Sequence, residues 1–171
     1  MTRVLVSDTS ILIDLERGNL LEAAFGLECD FSVPDLLYKD ELADYNGDDL
    51  LGLGLRVEEL DGDGVTRALG YREQQSLLSL PDAFALSLAK MNGYVLLTGD
   101  GALRQLAEDE DVDCHGVLWV LERMNHEGAA PIQALHDGLQ TIAAHPRCRL
   151  PKRAVNEILK RFADAVAANE T

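Results

Sequence analysis

The N-terminal segment reads Val4-Leu5-Val6-Ser7-Asp8-Thr9-Ser10-Ile11-Leu12-Ile13-Asp14-Leu15. Residues 4–6 form an all-apolar run, as expected of a strand that is buried on both faces of a sheet. The apolar positions after Ser10 follow a helical pattern, and Gly18 is a suitable stop for that helix. The segment therefore predicts a buried strand, an acid at its carboxyl end and a helix, which is how an α/β fold begins.

The same alternation continues along the chain. Further strands are predicted at residues 31–34, 94–98 and 112–115, and helices at residues 36–45, 65–75, 81–91, 102–107 and 117–125. Residues 48–66 are ambiguous because glycines interrupt their apolar run, although residues 57–60 could form another strand. Strands that alternate with helices predict a parallel sheet. Two more helices, at residues 132–143 and 152–168, predict a C-terminal extension (residues 126–171) after a first domain of residues 1–125.

Composition narrows the class of protein. The 171 residues are 47% hydrophobic and 5% aromatic, which suits a packed core and disfavours an aromatic platform for stacking bases. No apolar run approaches the roughly 20 residues of a membrane span, no signal-peptide pattern opens the chain, and the three cysteines lack zinc spacing. We therefore expect a cytoplasmic protein with reduced thiols.

The net charge of −15 disfavours nucleic-acid binding when it is taken as a single sum. The charge is unevenly distributed, since residues 147–171 hold 6 Lys and Arg against 3 Asp and Glu, whereas residues 1–146 hold 9 against 27. The basic side chains of this end are candidates for RNA contact, although a solvated basic helix face explains them at least as well. The candidates are Arg147, Arg149, Lys152 and Arg153.

Four acids stand where an apolar run gives way to a helical pattern, and they are Asp8, Glu41, Asp82 and Asp100. In a parallel sheet, ligands bind outside the carboxyl ends of the strands, so acids that follow different strands can converge there. A cluster of carboxylates suits a hard divalent cation such as Mg²⁺ or Mn²⁺, which points to metal-assisted phosphodiester chemistry. Ser10 and Thr98 lie beside two of these acids and could orient a metal-bound water or contact a phosphate, although a core or capping role explains them equally well.

Each acid also has a purely structural explanation. Asp8 and Asp100 could cap the helices that follow them, and Ser79 with Asp82 matches a capping box. Glu41 could simply favour a helix N-terminus. Other catalytic classes lack their motifs, because the chain has no phosphate-binding loop, no G-x-G-x-x-G after the first strand, no HExxH and no G-x-S-x-G. Metal-assisted hydrolysis is the chemistry that the acids favour.

The motifs around these acids resemble those of the PIN-domain nucleases, the family that includes the VapC-type toxins of toxin–antitoxin systems. The matching segments follow the family's order and are Val6-Ser7-Asp8-Thr9-Ser10, Glu41-Leu42, Leu80-Pro81-Asp82-Ala83-Phe84-Ala85, Leu96-Leu97-Thr98-Gly99-Asp100 and His115-Gly116-Val117-Leu118. The resemblance implies a three-layer α/β/α fold around a central parallel sheet and Mg²⁺- or Mn²⁺-dependent cleavage of RNA. The helices after residue 125 are similar to the C-terminal extension of one PIN subgroup.

The resemblance implies metal-site roles for four acids, namely Asp8, Glu41, Asp82 and Asp100. The second of these is open, since Asp40 is adjacent to Glu41, and Asp35 and Asp44 are weaker rivals nearby. The implied partners are an RNA substrate, a cognate antitoxin and a second copy of the chain. An alternative of another class is a catalytically weak PIN-fold module that binds a protein or a nucleic acid, which the strongly acidic residues 1–146 favour.

Overall fold

The computed structural model of the protein describes residues 2–170, and these residues form one five-stranded sheet. Its strands are β1 (Arg3–Ser7), β2 (Cys29–Pro34), β3 (Arg56–Glu58), β4 (Val95–Leu97) and β5 (Cys114–His115). Every neighbouring pair is parallel, and the spatial order is β3-β2-β1-β4-β5. Leu5 in the central strand is level with Phe31 of β2 on one side and with Val95 of β4 on the other.

Helices connect and follow the strands, and the described ones are α1 (Thr9–Arg17), α2 (Leu21–Ala24), α3 (Asp35–Leu37), α4 (Gly47–Leu53), α5 (Gly62–Gln74), α6 (Leu80–Asn92), α7 (Gly101–Asp109), α8 (Val117–Glu127), α9 (Ile132–Ala144) and α10 (Lys152–Asn169). The central parallel sheet with its connecting helices confirms the predicted α/β class. The ambiguous residues 48–66 supply most of α4, all of β3 and the start of α5. The glycine-interrupted apolar run there is thus mainly helical.

The core explains why the middle of β1 and all of β4 are apolar. Val6 and Leu96 are fully buried and belong to a cluster with buried side chains of α5, α6 and α7, such as Ala68, Leu86 and Leu103. Helix α6 supplies the largest share of this cluster and has clear ends, because Ser79 caps its first turn and Gly93 closes it at a φ of 67°. A left-handed φ favours glycine, so the predicted stop at residues 92–93 has a physical cause.

The strand order creates a switch point between β1 and β4. From β1 the chain moves outward through β2 and β3, and then returns to place β4 and β5 on the other side of β1. At such a point the loops after the two central strands leave in opposite directions and open a crevice at the carboxyl edge of the sheet. Asp8 follows β1 directly, and Thr98 follows β4 directly.

The predicted helix at residues 36–45 is not a regular α-helix. After α3, residues Tyr38–Leu42 form a π-helical turn, in which the Ala43 amide donates to the Tyr38 carbonyl at 2.8 Å. A π turn holds one more residue than an α turn and is frequent at functional sites. It changes the phase of the side chains that follow, so helical periodicity alone could not choose between Asp40 and Glu41.

The described residues fall into two compact units. One, which we call the sheet unit, contains the residues up to Ile11 together with Glu28–Gly116. The other, the helical unit, contains Leu12–Leu27 and the described residues from Val117 onward. The predicted domain boundary after residue 125 stays a prediction of the sequence.

Within the helical unit, α9 packs on α8 and α10. Gly138 of α9 allows a close approach of the chain there, because a Cβ at this position would lie 2.7 Å from the Gly18 carbonyl oxygen. Cys29, Cys114 and Cys148 are free thiols. Every helix within residues 2–170 is too short or too polar to span a bilayer.

Candidate metal centre

Asp8 is a buried carboxylate held by donors from two segments, the start of α1 and the residues after β4. One oxygen, Oδ1, accepts hydrogen bonds from the Ser10 hydroxyl at 2.7 Å and from the Ile11 amide at 3.1 Å. The other, Oδ2, accepts a short hydrogen bond from the Thr98 hydroxyl, across from β4. Burial raises the pKa of Asp8, and these hydrogen bonds, with one from the Gly99 amide, oppose the rise. The two predicted hydroxyls therefore fix this carboxylate.

Asp100 lies at the carboxyl end of β4, two residues beyond Thr98. Its backbone amide donates a hydrogen bond to the Thr98 hydroxyl at 3.0 Å. Its Oδ1 caps α7 by accepting from the Leu103 amide at 2.9 Å. Because the cap uses one carboxylate oxygen and the side chain is exposed, the second oxygen can serve a ligand at the same edge.

Asp82 stands in the first turn of α6, where its amide donates to the Ser79 hydroxyl at 3.2 Å. Its pKa is raised to about 6, first by burial and then by the negative charges of Asp8, Glu41 and Asp100. The other three predicted acids thus act on the Asp82 carboxyl group, although the four come from four separate segments of the sequence. This convergence at the switch point is the main electrostatic feature of the edge.

Glu41 is tied to the same edge through Thr9. The Thr9 hydroxyl donates to Glu41 Oε2 at 2.9 Å, which links the π turn to the segment that follows β1. Burial raises the pKa of Glu41, the Thr9 hydrogen bond opposes the rise, and the charges of Asp8 and Asp40 add to it. Among the acids of this helix, the geometry therefore favours Glu41 over Asp40 as the neighbour of Asp8.

The rival acids take other roles. Asp35 makes a local hydrogen bond, because its Oδ1 accepts from the adjacent Leu36 amide at 2.8 Å. Asp40 and Asp44 are exposed, and neither is among the charges that act on Asp82 most strongly.

The predicted capping roles are confirmed for Asp8, Asp100 and the pair Ser79 and Asp82. Capping and ligand binding are compatible, because the N-termini of α1, α6 and α7 carry partial positive charge and stabilise nearby carboxylates by about 0.3–1 kcal/mol each.

The donor set fits a hard divalent cation in its chemistry. Carboxylate and hydroxyl oxygens are the ligands that Mg²⁺ and Mn²⁺ prefer, and mutual repulsion between the acids is what a cation would relieve. As they stand, no three His, Cys, Asp or Glu side chains within residues 2–170 are close enough together to hold an ion. Closing a site would therefore require the exposed side chains of Glu41 and Asp100 to turn inward.

The predicted RNA contacts lie in the helical unit. Arg147 and Arg149 precede α10, and Lys152 and Arg153 form its first turn, where the helix has no acidic residue and no side-chain cap. All four are exposed, and Arg153 pairs with Glu157 at 3.5 Å. They form an exposed basic segment at a helix end that itself attracts anions.

Sequence patterns missed two residues of the edge. Thr9 had no predicted role of its own, although its hydroxyl donates to the Glu41 carboxylate. The available signal was a hydroxyl residue directly after the acid that ends a strand. Arg104 was overlooked because it is a single cation on a helix surface. Its guanidinium donates to the Thr98 carbonyl at 3.1 Å, which no local pattern indicates.

The chain was compared with models of known protein families. The chain belongs to the PIN-domain family, whose model matches residues 4–164. The match confirms the predicted three-layer α/β/α PIN-like fold and assigns the chain to a nuclease-type class whose members generally use divalent metals. A search of curated proteins gave no significant match.

Proposed function

We propose that the protein is a divalent-metal-dependent endoribonuclease that hydrolyses RNA phosphodiester bonds. The observation that carries the proposal is the convergence of Asp8, Glu41 and Asp100 on the Asp82 carboxyl group at the carboxyl edge of the sheet. A carboxyl group whose pKa is raised by three neighbouring acids would gain from a cation bound beside it. Together with the PIN family match, this supports hydrolysis at that edge.

In this proposal Asp8, Glu41, Asp82 and Asp100 hold one or two Mg²⁺ or Mn²⁺ ions. The bound cation would polarise a phosphoryl oxygen and lower the pKa of a water molecule. Asp8 would be the fixed member, since its hydrogen bonds leave the carboxylate little freedom. The more exposed carboxylates would adjust to the cation and to the substrate.

Ser10 and Thr98 are assigned a supporting role, because both donate to Asp8 and so orient its oxygens. Their loss should change the geometry of the site without changing its charge.

The RNA backbone needs positive charge, and the sheet unit has little of it. This unit holds 7 Lys and Arg against 21 Asp and Glu. We assign RNA contacts to Arg147, Arg149, Lys152 and Arg153 of the C-terminal extension, because phosphate contacts dominate nucleic-acid affinity. The resemblance to VapC-type toxins further suggests that the protein is the toxin of a toxin–antitoxin pair, active as a homodimer and inhibited by a cognate antitoxin.

The decisive experiment compares two helix caps. Asp100 and Asp61 each cap a helix through Oδ1, at 2.9 Å and 2.8 Å from the bonded amide, but only Asp100 lies among the four acids. Asparagine caps as well as aspartate, so Asp100→Asn and Asp61→Asn both preserve the cap and remove one charge. We expect Asp100→Asn to lose Mg²⁺- or Mn²⁺-dependent cleavage of RNA by roughly 100-fold or more. We expect Asp61→Asn to cleave like the unaltered protein.

Equal cleavage by the two variants would overturn the assignment of the site. The chelator EDTA should abolish cleavage by the unaltered protein, and added Mn²⁺ should restore it.

The alternative, a PIN-fold binding module without strong catalysis, is favoured by the charge of the sheet unit and by the open arrangement of the acids. A calorimetric titration of the chelator-treated protein with Mn²⁺ separates the two hypotheses. No binding at millimolar Mn²⁺ would support the module, whereas binding that Asp8→Asn abolishes would support the nuclease.

A further inference from the structure

Arg104 lies at the same edge of the sheet as the acids. It stands in the second turn of α7, the helix that Asp100 caps. One of its guanidinium nitrogens, Nη2, donates to the Thr98 carbonyl at 3.1 Å, while the hydroxyl of the same threonine donates to Asp8. A single residue therefore separates the guanidinium from the most buried carboxylate of the site.

The chain leaves room for this guanidinium. Gly116 follows β5, and a Cβ at this position would lie 3.2 Å from Arg104 Nη2 and 3.6 Å from the Thr98 carbonyl oxygen. The 3.2 Å contact is tighter than ordinary van der Waals packing, so a Cβ at position 116 would require the guanidinium to shift by a few tenths of an ångström. The arginine thus lies between the ends of β4 and β5 in a space that a glycine keeps open.

The charges of Arg104 and Asp8 both act on a third side chain, the thiol of Cys114. Burial raises the pKa of Cys114 to about 11; the positive charge of Arg104 opposes this rise and the negative charge of Asp8 adds to it. Both charges therefore act at the carboxyl end of the sheet, within a few residues of the switch point.

Cations are scarce where the substrate would bind. Of the seven Lys and Arg of the sheet unit, Lys39 lies in the π turn after β2 and Arg104 in the helix after β4, so both lie towards the carboxyl edge. Only for Arg104 does a hydrogen bond connect the cation to a residue that binds Asp8. The Arg104 side chain is exposed, and the bond to Thr98 uses one of the five N–H donors of a guanidinium.

We propose that Arg104 is a substrate-binding residue that contacts a phosphate of the RNA next to the acidic site. The inference rests on the proposed nuclease function and adds to it a cation that neither the motifs nor the four acids indicate. A guanidinium held at one nitrogen presents its remaining donors in a fixed fork, which matches two phosphate oxygens. It would also reduce the repulsion between the RNA backbone and the carboxylates as the substrate approaches.

The salt dependence of RNA binding tests the proposal, because a purely structural arginine would not change it. Each phosphate contact contributes about 0.7 to the slope of log Kd against log salt for single-stranded nucleic acid. The full-length protein carrying Asp82→Asn, to suppress cleavage, is titrated in Mn²⁺ with a short fluorescein-labelled single-stranded RNA at several salt concentrations. The integrity of the RNA is checked on a gel after each titration.

Three substitutions in that background separate charge from hydrogen bonding. Arg104→Gln keeps a donor for the Thr98 carbonyl but loses the charge, and we expect a Kd about tenfold weaker and a slope smaller by about 0.7. Arg104→Lys keeps the charge and should retain the slope with a smaller loss of affinity. Arg3→Gln removes the same charge at the start of β1, on the opposite edge of the sheet, and should leave both values unchanged.

The outcomes distinguish this proposal from the function on which it rests. If the protein binds RNA and Arg104→Gln has the slope of the parent, the phosphate contact is wrong and the nuclease assignment stands. If Arg104→Lys loses as much slope as Arg104→Gln, the arginine acts through structure and the proposal fails. If the parent does not bind RNA and the protein without substitutions does not cleave it, both the proposal and the proposed function fail.

Discussion

The sheet unit contains two groups of acids in very different surroundings. At β3, Glu58 Oε1 accepts from Arg56 at 3.2 Å and from the Tyr94 hydroxyl at 3.1 Å, while Oε2 accepts a short hydrogen bond from Ser32. Arg56 also pairs with Asp30 at 3.4 Å. These carboxylates, which we call the paired acids, have a cation of the protein beside them.

The four acids at the switch point have hydroxyls, amides and one another instead. Thr98, Ser10 and Thr9 donate to Asp8 and Glu41, and the charges that act on Asp82 are negative. The comparison separates carboxylates that have a cation of the protein beside them from carboxylates whose strongest charged neighbours are other acids. In the proposed function, a bound divalent cation would supply the positive charge at the second group.

The largest expected difference is in cleavage. Asp8→Asn should reduce Mn²⁺-dependent RNA cleavage by about a thousandfold, equivalent to roughly 4 kcal/mol of transition-state stabilisation, because it removes the central charge of the site. Glu58→Gln removes the charge of a paired acid and should cleave within about twofold of the unaltered protein. Initial cleavage rates of a labelled RNA measure both. Circular dichroism verifies that each variant is folded, and a comparable loss in Glu58→Gln would remove the distinction between the two groups.

A smaller effect should separate two adjacent acids of the π turn. Glu41→Gln should lower the same cleavage rate by about tenfold to a hundredfold, since the Thr9 hydrogen bond holds this carboxylate next to Asp8. Asp40→Asn should have almost no effect, because Asp40, unlike Glu41, is not among the charges that act most strongly on Asp82. The reverse order of the two variants would mean that the π turn presents Asp40, and that the structural choice of Glu41 is wrong.

The smallest expected effect is on the free energy of unfolding. Substitutions among the four acids and among the paired acids should change it in opposite directions. The pKa of Asp82 is about 6 in the folded protein against an ordinary value of 3.8, so between these values the folded state holds a proton that the unfolded state has lost. Stability of the metal-free protein therefore falls as the pH rises from about 4 to 6. Above pH 6, Asp82→Asn should stabilise the metal-free protein by about 1–2 kcal/mol, a value reduced for partial solvent screening.

Glu58→Gln should instead destabilise the protein at neutral pH by about 1 kcal/mol, because it weakens three hydrogen bonds to a charged acceptor. Urea unfolding in EDTA at pH 4 and pH 7.5 measures both variants. At pH 4 the advantage of Asp82→Asn should nearly vanish. A destabilised Asp82→Asn at pH 7.5 would show that the acids of the switch point are as well compensated as the paired acids.

The sequence predicted the parts of the fold that depend on local pattern. The strand at residues 4–6, the capped helix after Ser79 and the stop at Gly93 follow from apolar runs, a capping box and a left-handed glycine. Three of the four acids could be placed at the carboxyl edge because each lies at or near a βα junction or opens a helix. The family resemblance then implied the three-layer arrangement, whereas the order of the strands came only from the structure.

What the sequence could not predict depends on distant contacts. The π turn at residues 38–42 has no reliable sequence signal, so the phase that selects Glu41 appeared only with the Thr9 contact. The network around Glu58 joins β2, β3 and the residue before β4, and the Arg104 contact joins α7 to the end of β4. The residues of such contacts are separated along the chain, or their contact depends on the direction of a side chain. The periodicity of apolar residues indicates neither of these.

The π turn also has a consequence for chain length. An α-helix rotates by about 100° per residue, so the loss of one residue between Asp35 and Glu41 would restore regular α geometry and rotate Glu41 away from Thr9. A segment of this kind has a fixed residue count even though its surface is exposed. Ordinary surface loops tolerate insertions and deletions. Here such a change would alter the distance between the carboxylates of Glu41 and Asp8.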